Sequence, residues 1–266
     1  MKKILVPTDF SEFADIATDT AIMLAKKSGA EIHFIHLMDI PVDWINLVES
    51  DQKKMYPDIT LKVKKANNKL DMLLTKAEKA GLDAKKFIQY NANYKYIIKH
   101  IESFGCDFVV MGSHGTSGLA EWLIGSNAQK VVRNSTVPVM VVKKAVTQLG
   151  DIVFASDFEE DSFNAFKRIL KIAEMLQVKI HLLFINTPAN FTETKLTDLW
   201  MKKFIAAGGN SIEGSWVYNC YDFEEGLAQF TKKYGSIIAL VTHGKKGYVT
   251  ESVVNHLDIP VLSVHL

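Results

Sequence analysis

Short apolar runs alternate along the chain with longer stretches in which apolar residues recur every three or four positions. The runs near 2–6, 31–37, 86–90, 107–111 and 138–142 predict strands, and the periodic stretches near 11–28, 60–80, 93–104 and 126–134 predict helices. On the first helix Phe13, Ala17, Ala21, Leu24 and Ala25 form an apolar stripe whose small side chains suit close packing on a sheet. Strands that are apolar throughout, alternating with helices, specify a parallel sheet covered on both faces.

The pattern then repeats. Residues 4–38 align without a gap on residues 152–186, pairing ILVPTDF with IVFASDF and AEIHFIHLM with VKIHLLFIN. Asp9 falls on Asp157, Phe10 on Phe158, and Ile32-His33 on Ile180-His181. The later parts correspond too, VPVMVV at 137–142 with IPVLSV at 259–264 and SHG at 113–115 with THG at 242–244. The expected architecture is α/β, with two tandem five-stranded parallel-sheet domains of Rossmann-like type at 1–145 and 150–266.

Doubly wound sheets bind ligands outside the carboxyl ends of their strands, where the strand order reverses. In the first half those ends are Thr8 and Asp9, Leu37 and Met38, and Met111 with Gly112. The last pair opens VVMGSHGTSGLAEWLIGS, in which Gly112 and Gly115 precede nine residues and then Gly125 and Ser126. A glycine turn lets backbone N–H groups approach an anion, and the helix starting at Ser126 and Asn127 adds unpaired amides and a positive dipole end. With Asp9 able to accept hydrogen bonds from ribose hydroxyls, and apolar neighbours able to flank a base, the constellation suits a nucleotide. The chain has neither a Walker GK[ST] loop nor a GxGxxG in its first strand turn.

Composition narrows the partners. With 266 residues and a net charge of +1, no global field draws the chain to nucleic acid or anionic lipid. Lys62, Lys64 and Lys65 read as the wet face of a helix. The opening MKKILVPTDF begins like an export signal, but Pro7 and Asp9 break its apolar run, and no apolar stretch approaches the roughly 18 residues needed to cross a bilayer. A soluble cytoplasmic protein is expected. Cys106 and Cys220 lack CxxC or metal spacing and read as reduced structural thiols. The insertion at 39–60, with Trp44, Tyr56 and Pro57, reads either as a lid whose Trp44 covers a base or as a surface loop packed on its own aromatics.

Over nearly its whole length the chain resembles the tandem members of the universal stress protein family. The resemblance rests on ILVPTDFSEFA, the GSHG at 112–115, the GS at 125–126 and the VPVMVV at 137–142. It implies an adenine nucleotide alpha hydrolase-like fold and binding of ATP, or another adenine nucleotide, with Mg as an accompanying ion. By resemblance Asp9 sits by the ribose or base, the Leu37 backbone reads the adenine edge, and Gly112, Gly115, Gly125, Ser126 and Asn127 hold the phosphates. Thr8 and Met111 border the same site. The family's strand of VPVMVV type pairs subunits edge to edge, so the two halves are expected to form an internal pseudo-dimer that is able to associate further as a homodimer.

The second half departs from that pattern. Val241 replaces the counterpart of Gly112, and Pro260 follows Gly244 about seven residues sooner than Pro138 follows Gly115. The GS pair is missing, and its nucleotide site is expected to be vestigial. The leading expectation is a stress-response sensor or regulator holding one nucleotide. It stands beside an interaction module without nucleotide, and a slow Mg-dependent hydrolase using Asp9. No catalytic residue or resident metal site is assigned.

Overall fold

The computed structural model describes residues 1–113, 125–234, 237–242 and 248–265. The first half runs β1 (Lys3–Pro7), α1 (Glu12–Ser28), β2 (Glu31–Met38), α2 (Val42–Asn46), α3 (Glu49–Met55) and α4 (Pro57–Lys79). It continues with β3 (Ala84–Tyr90), α5 (Tyr94–Phe104), β4 (Phe108–Gly112), α6 (Ser126–Asn134) and β5 (Val139–Val142). In the second half follow β6 (Ile152–Ala155), α7 (Ser162–Leu176), β7 (Ile180–Asn186), α8 (Thr194–Gly208) and β8 (Ile212–Asn219). Then come α9 (Phe223–Tyr234), β9 (Ile237–Thr242), α10 (Tyr248–His256) and β10 (Val261–His265).

All ten strands form one sheet in the order β3-β2-β1-β4-β5-β10-β9-β6-β7-β8. Pairing is parallel within each half. At the centre β5 and β10 run antiparallel, with Val141 opposite Val261 and Met140 opposite Leu262. The internal pseudo-dimer is therefore a continuous sheet, and what would be an unpaired apolar edge on either half is covered by the other. One apolar layer crosses the seam, from Ile4, Val6 and Phe34 through Met140 and Leu262 to Phe154 and Phe166. Above it, Lys27 of α1 donates to the carbonyl of Leu176 at the end of α7, 2.9 Å away.

Local sequence explains the parts that position the first strand ends. Ile4, Leu5 and Val6 are fully buried, as expected for a strand covered on both faces. Ser11 caps α1 by accepting from Ala14 N at 3.3 Å, and Glu12 and Asp15 occupy the positive first turn. Ala14, Ala17, Ala21 and Ala25 face the sheet almost without exposure. This close approach constrains Gly112. A Cβ there would lie 2.7 Å from the Phe13 carbonyl oxygen, so only glycine lets β4 end beneath the start of α1.

Two expectations need amendment. The helix foreseen at 60–80 starts at Pro57, which serves as its first-turn residue, where its missing N–H costs nothing. The insertion is two short helices, α2 and α3, with Trp44 only 6% exposed among Ile40 and Val63. Its indole Nε1 donates to Thr60 Oγ1 at 3.1 Å, so Trp44 anchors the insertion to α4 and is not available to cover a base. Lys62, Lys64 and Lys65 are exposed as read.

Candidate functional site

At the carboxyl edge of the first half a cavity of about 220 Å³ opens between the ends of β1, β2 and β4 and the start of α6. Of the expected site residues, Thr8, Asp9, Leu37, Met111, Gly112, Gly125, Ser126 and Asn127 all line it. Gly115 and His114 lie outside the described residues.

The β1–α1 turn holds the acidic side of the cavity. Thr8 N donates to the Ile35 carbonyl at 2.9 Å, and Thr8 Oγ1 accepts from Phe10 N at 3.1 Å. Asp9 Oδ1 accepts from Ser11 Oγ at 2.6 Å and from Ser11 N at 3.1 Å, which fixes the carboxylate beside the cavity. Phe10 pays for this turn with a left-handed backbone, φ 63°, and Phe158 repeats it at 59° in the second half. There Ser156 Oγ accepts from Phe158 N at 3.0 Å and Asp157 Oδ1 accepts from Ser162 Oγ at 2.9 Å. The duplicated sequence thus folds into the same constrained turn twice.

His36 supports the turn from below. Its Nδ1 donates to the Thr8 carbonyl at 2.8 Å, and its ring lies 4.4 Å from that of Phe10. Burial holds the imidazole below the ordinary histidine range, against the opposing pull of the Thr8 carbonyl and Asp9.

The opposite wall is the start of α6. Gly125 N donates to the Ser113 carbonyl at 2.6 Å, and Ser113 N in turn donates to the Val142 carbonyl at 3.0 Å, tying the helix start to β5. Among the described residues no side chain caps this helix, and its first turn carries no acid. The leading amides, at Ser126 and Asn127, have no intrahelical acceptor and border the cavity with the positive end of the dipole. Ile35, Leu37, Ile97 and Met111 supply an apolar side. The arrangement can hold an anion at α6 and a flat apolar group toward β2.

Sequence reasoning did not place Pro7, Ile35, Ile97, Ala128 or the supporting His36 at this cavity. Ile97 and Ala128 read as core positions of their helices, and nothing local marks His36 as reaching back to Thr8. The repeated Asp-Phe was the available signal for the strained turn.

The equivalent edge of the second half carries a larger cleft, about 740 Å³, with Asp157, Glu159, Asp222, Glu224 and Val241 among its lining residues. Glu224 is engaged by Ser252 Oγ and by His256 Nδ1, the latter at 2.6 Å. Four carboxylates disfavour a phosphate there. Residues 243–247, with Lys245 and Lys246, lie outside the described residues.

Fold and site together define a doubly wound α/β protein, duplicated about an antiparallel seam, with an anion-accepting helix start at the switch point of its first half. Residues 1–143 match the model of the universal stress protein family, and the chain belongs to that family. It is 32% identical over 157 residues to universal stress protein MJ0577 of Methanocaldococcus jannaschii, covering 54% of this chain and 95% of that one. Over 145 residues it is 30% identical to universal stress protein YxiE of Bacillus subtilis, covering 53% and 98% respectively. These relatives correspond to about half of this chain, as expected for a tandem member. A solved universal stress protein from Archaeoglobus fulgidus shares the whole fold, with a TM-score of 0.76 at 23% identity over 99% of this chain and 98% of its own. Among the described residues no helix is long and apolar enough to cross a membrane.

Proposed function

We propose that the chain is a cytoplasmic stress-response regulator that binds one adenine nucleotide, ATP in the first instance, in its first half. The observation that carries this reading is the start of α6, whose Ser126 and Asn127 border one cavity with Gly112 and Asp9. The residues fit the ligand class: helix amides for phosphate, the Asp9 carboxylate for ribose hydroxyls or an accompanying magnesium ion, and Leu37 with Met111 for the base. The second half, 150–266, acts in this reading as a structural and interaction partner, because it lacks the Gly-Ser pair and its cleft adds Glu159, Asp222 and Glu224 to Asp157.

Calorimetric titration of nucleotide-free protein with ATP and magnesium tests the proposal, beside a Ser126→Asp variant. Ser126 is exposed at the first turn of α6, so an aspartate there favours the helix by roughly 0.3–1 kcal/mol while repelling phosphate. One site per chain, lost in a variant that melts no lower than the parent, is the expected result. Two sites would overturn the single-nucleotide reading. No binding would leave an interaction module without nucleotide as the better account.

A further inference from the structure

At the opposite edge of the first half, away from the nucleotide cavity, three side chains from three elements converge in the interior. His33 is the third residue of β2, His100 lies on α5, and Cys106 follows the end of α5. Their exposures are 0%, 6% and 3%. His33 Nδ1 is 3.0 Å from His100 Nε2 and 3.7 Å from Cys106 Sγ, and the three ligating atoms all lie within 4.8 Å of one another. Nitrogen and sulfur atoms bound at about 2.0–2.3 Å to a single ion stand roughly 3.4–3.7 Å apart, so closing this triangle on an ion takes shifts of about an ångström or less. Among the described residues it is the only cluster of this kind.

The chain reaches this geometry by local means. Gly105 ends α5 in a left-handed conformation, φ 63°, and Cys106 N returns to the Ile101 carbonyl at 3.0 Å. That reversal brings Cys106 beneath His33. The tautomer of His33 is also set: its buried Nε2 has no hydrogen bond within normal limits but faces Glu31 Oε1 at 3.4 Å. A proton on Nε2 is stabilised by that carboxylate, which leaves the Nδ1 lone pair aimed at His100 and Cys106. A carboxylate behind a ligating imidazole is the usual arrangement of metal-bound histidine.

We propose that His33 Nδ1, His100 Nε2 and Cys106 Sγ form a binding site for one monovalent soft cation of the copper(I) class. Two imidazoles and a thiolate are soft to borderline donors, and three ligands satisfy such an ion. Charge decides between ions. The walls are aromatic: Phe87 and Phe104 flank His33 at ring distances of 5.1 and 5.6 Å, and Phe104 stacks on His100 at 4.3 Å. A thiolate with a monovalent cation is neutral in that setting, whereas a divalent ion would leave a net positive charge buried. On binding, Cys106 releases its thiol proton to solvent and a sulfur–metal bond replaces the S–H bond, with no change of oxidation state. Phe104, 41% exposed, is the cover through which an ion would pass.

The second half supplies an internal control. His181 occupies the duplicated position, yet it is packed by Trp216 and Tyr234 at ring distances of 5.0 and 5.7 Å, and its Nε2 contacts Asp151 Oδ2 at 3.2 Å. A shared histidine thus became part of a ligand cluster in one copy only.

Full-length reduced protein, titrated with copper(I) against a chromophoric copper(I) chelator, should retain one ion per chain, with two nitrogen and one sulfur neighbours by X-ray absorption. Cys106→Ser and His100→Phe should lose it, and His181→Phe should keep it. Should the core variants fail to fold, Glu31→Gln, altered at a partly exposed position, should weaken retention about 10–100-fold by removing the negative charge behind His33 Nε2. A folded parent that retains no copper would overturn the proposal, as would retention undiminished in Cys106→Ser, His100→Phe and Glu31→Gln. Tight zinc(II) binding without copper(I) binding would overturn the choice of ion.

Discussion

At Gly112 two demands meet in one residue. The cavity at the strand ends is on one side and the backbone of Phe13 is on the other, so Gly112→Ala should cost about 1–3 kcal/mol through overpacking, read by urea unfolding. Any loss of ligand in that variant would follow partly from the displaced α1. His36 makes a second residue-level case. Its pKa is lowered in the folded chain, so between the ordinary value near 6.5 and the lower folded value the unfolded chain binds more protons. Stability should therefore be complete above about pH 6.5 and should fall as the pH is lowered through that window. Melts at a series of pH values should show it, and His36→Gln should flatten part of the slope, His33 and His100 carrying the rest because burial lowers them as well. That Thr8, Asp9, Gly112, Gly125, Ser126 and Asn127 would meet at one cavity was legible because strand ends and glycine spacing are local signals. The His33–His100–Cys106 cluster was not, because its members are 67 and 73 residues apart and only folding brings them together.

At the scale of elements, the strands and long helices followed from hydrophobic period, whereas α2 and α3 did not. Each is too short to present a full apolar stripe, and their order depends on a separate small core of Ile40, Trp44 and Val63. Trp44→Ala should remove that core at a cost of about 3–5 kcal/mol. Because the cluster is a satellite, the loss should be visible in hydrogen exchange as early opening of α2 and α3, while ATP binding is retained. Failure of the nucleotide site in that variant would mean that the insertion has a larger part in the cavity than its packing indicates. The glycine spacing after β4 was legible as a motif, but 114–124 lie outside the described residues, so the role expected of Gly115 is tested by titrating a Gly115→Val variant with ATP and magnesium.

For the whole molecule, the duplication read from ILVPTDF and IVFASDF becomes a single sheet through β5 and β10. Residues 1–145 expressed alone would expose Val139–Val142 as an apolar edge, and should associate as a homodimer by sedimentation, with Val141→Lys shifting the fragment toward monomer. A monomeric parent fragment would show that the edge is insufficient for pairing. The loss of GS from the second half was legible, but the four acids that line its cleft come from two separate segments, and of them only Asp157, the counterpart of Asp9, was read from the sequence.

The antiparallel seam points the carboxyl edges of the two halves to opposite rims of the sheet. In a symmetric dimer every substitution appears twice, and paired equivalent sites are free to cooperate. Fusion in one chain removes both constraints: each rim can specialise alone, and the single nucleotide site proposed above would have no twin with which to communicate. ATP occupancy within one chain should then rise as a simple hyperbola with a Hill coefficient of about one, a graded response to nucleotide level instead of a threshold.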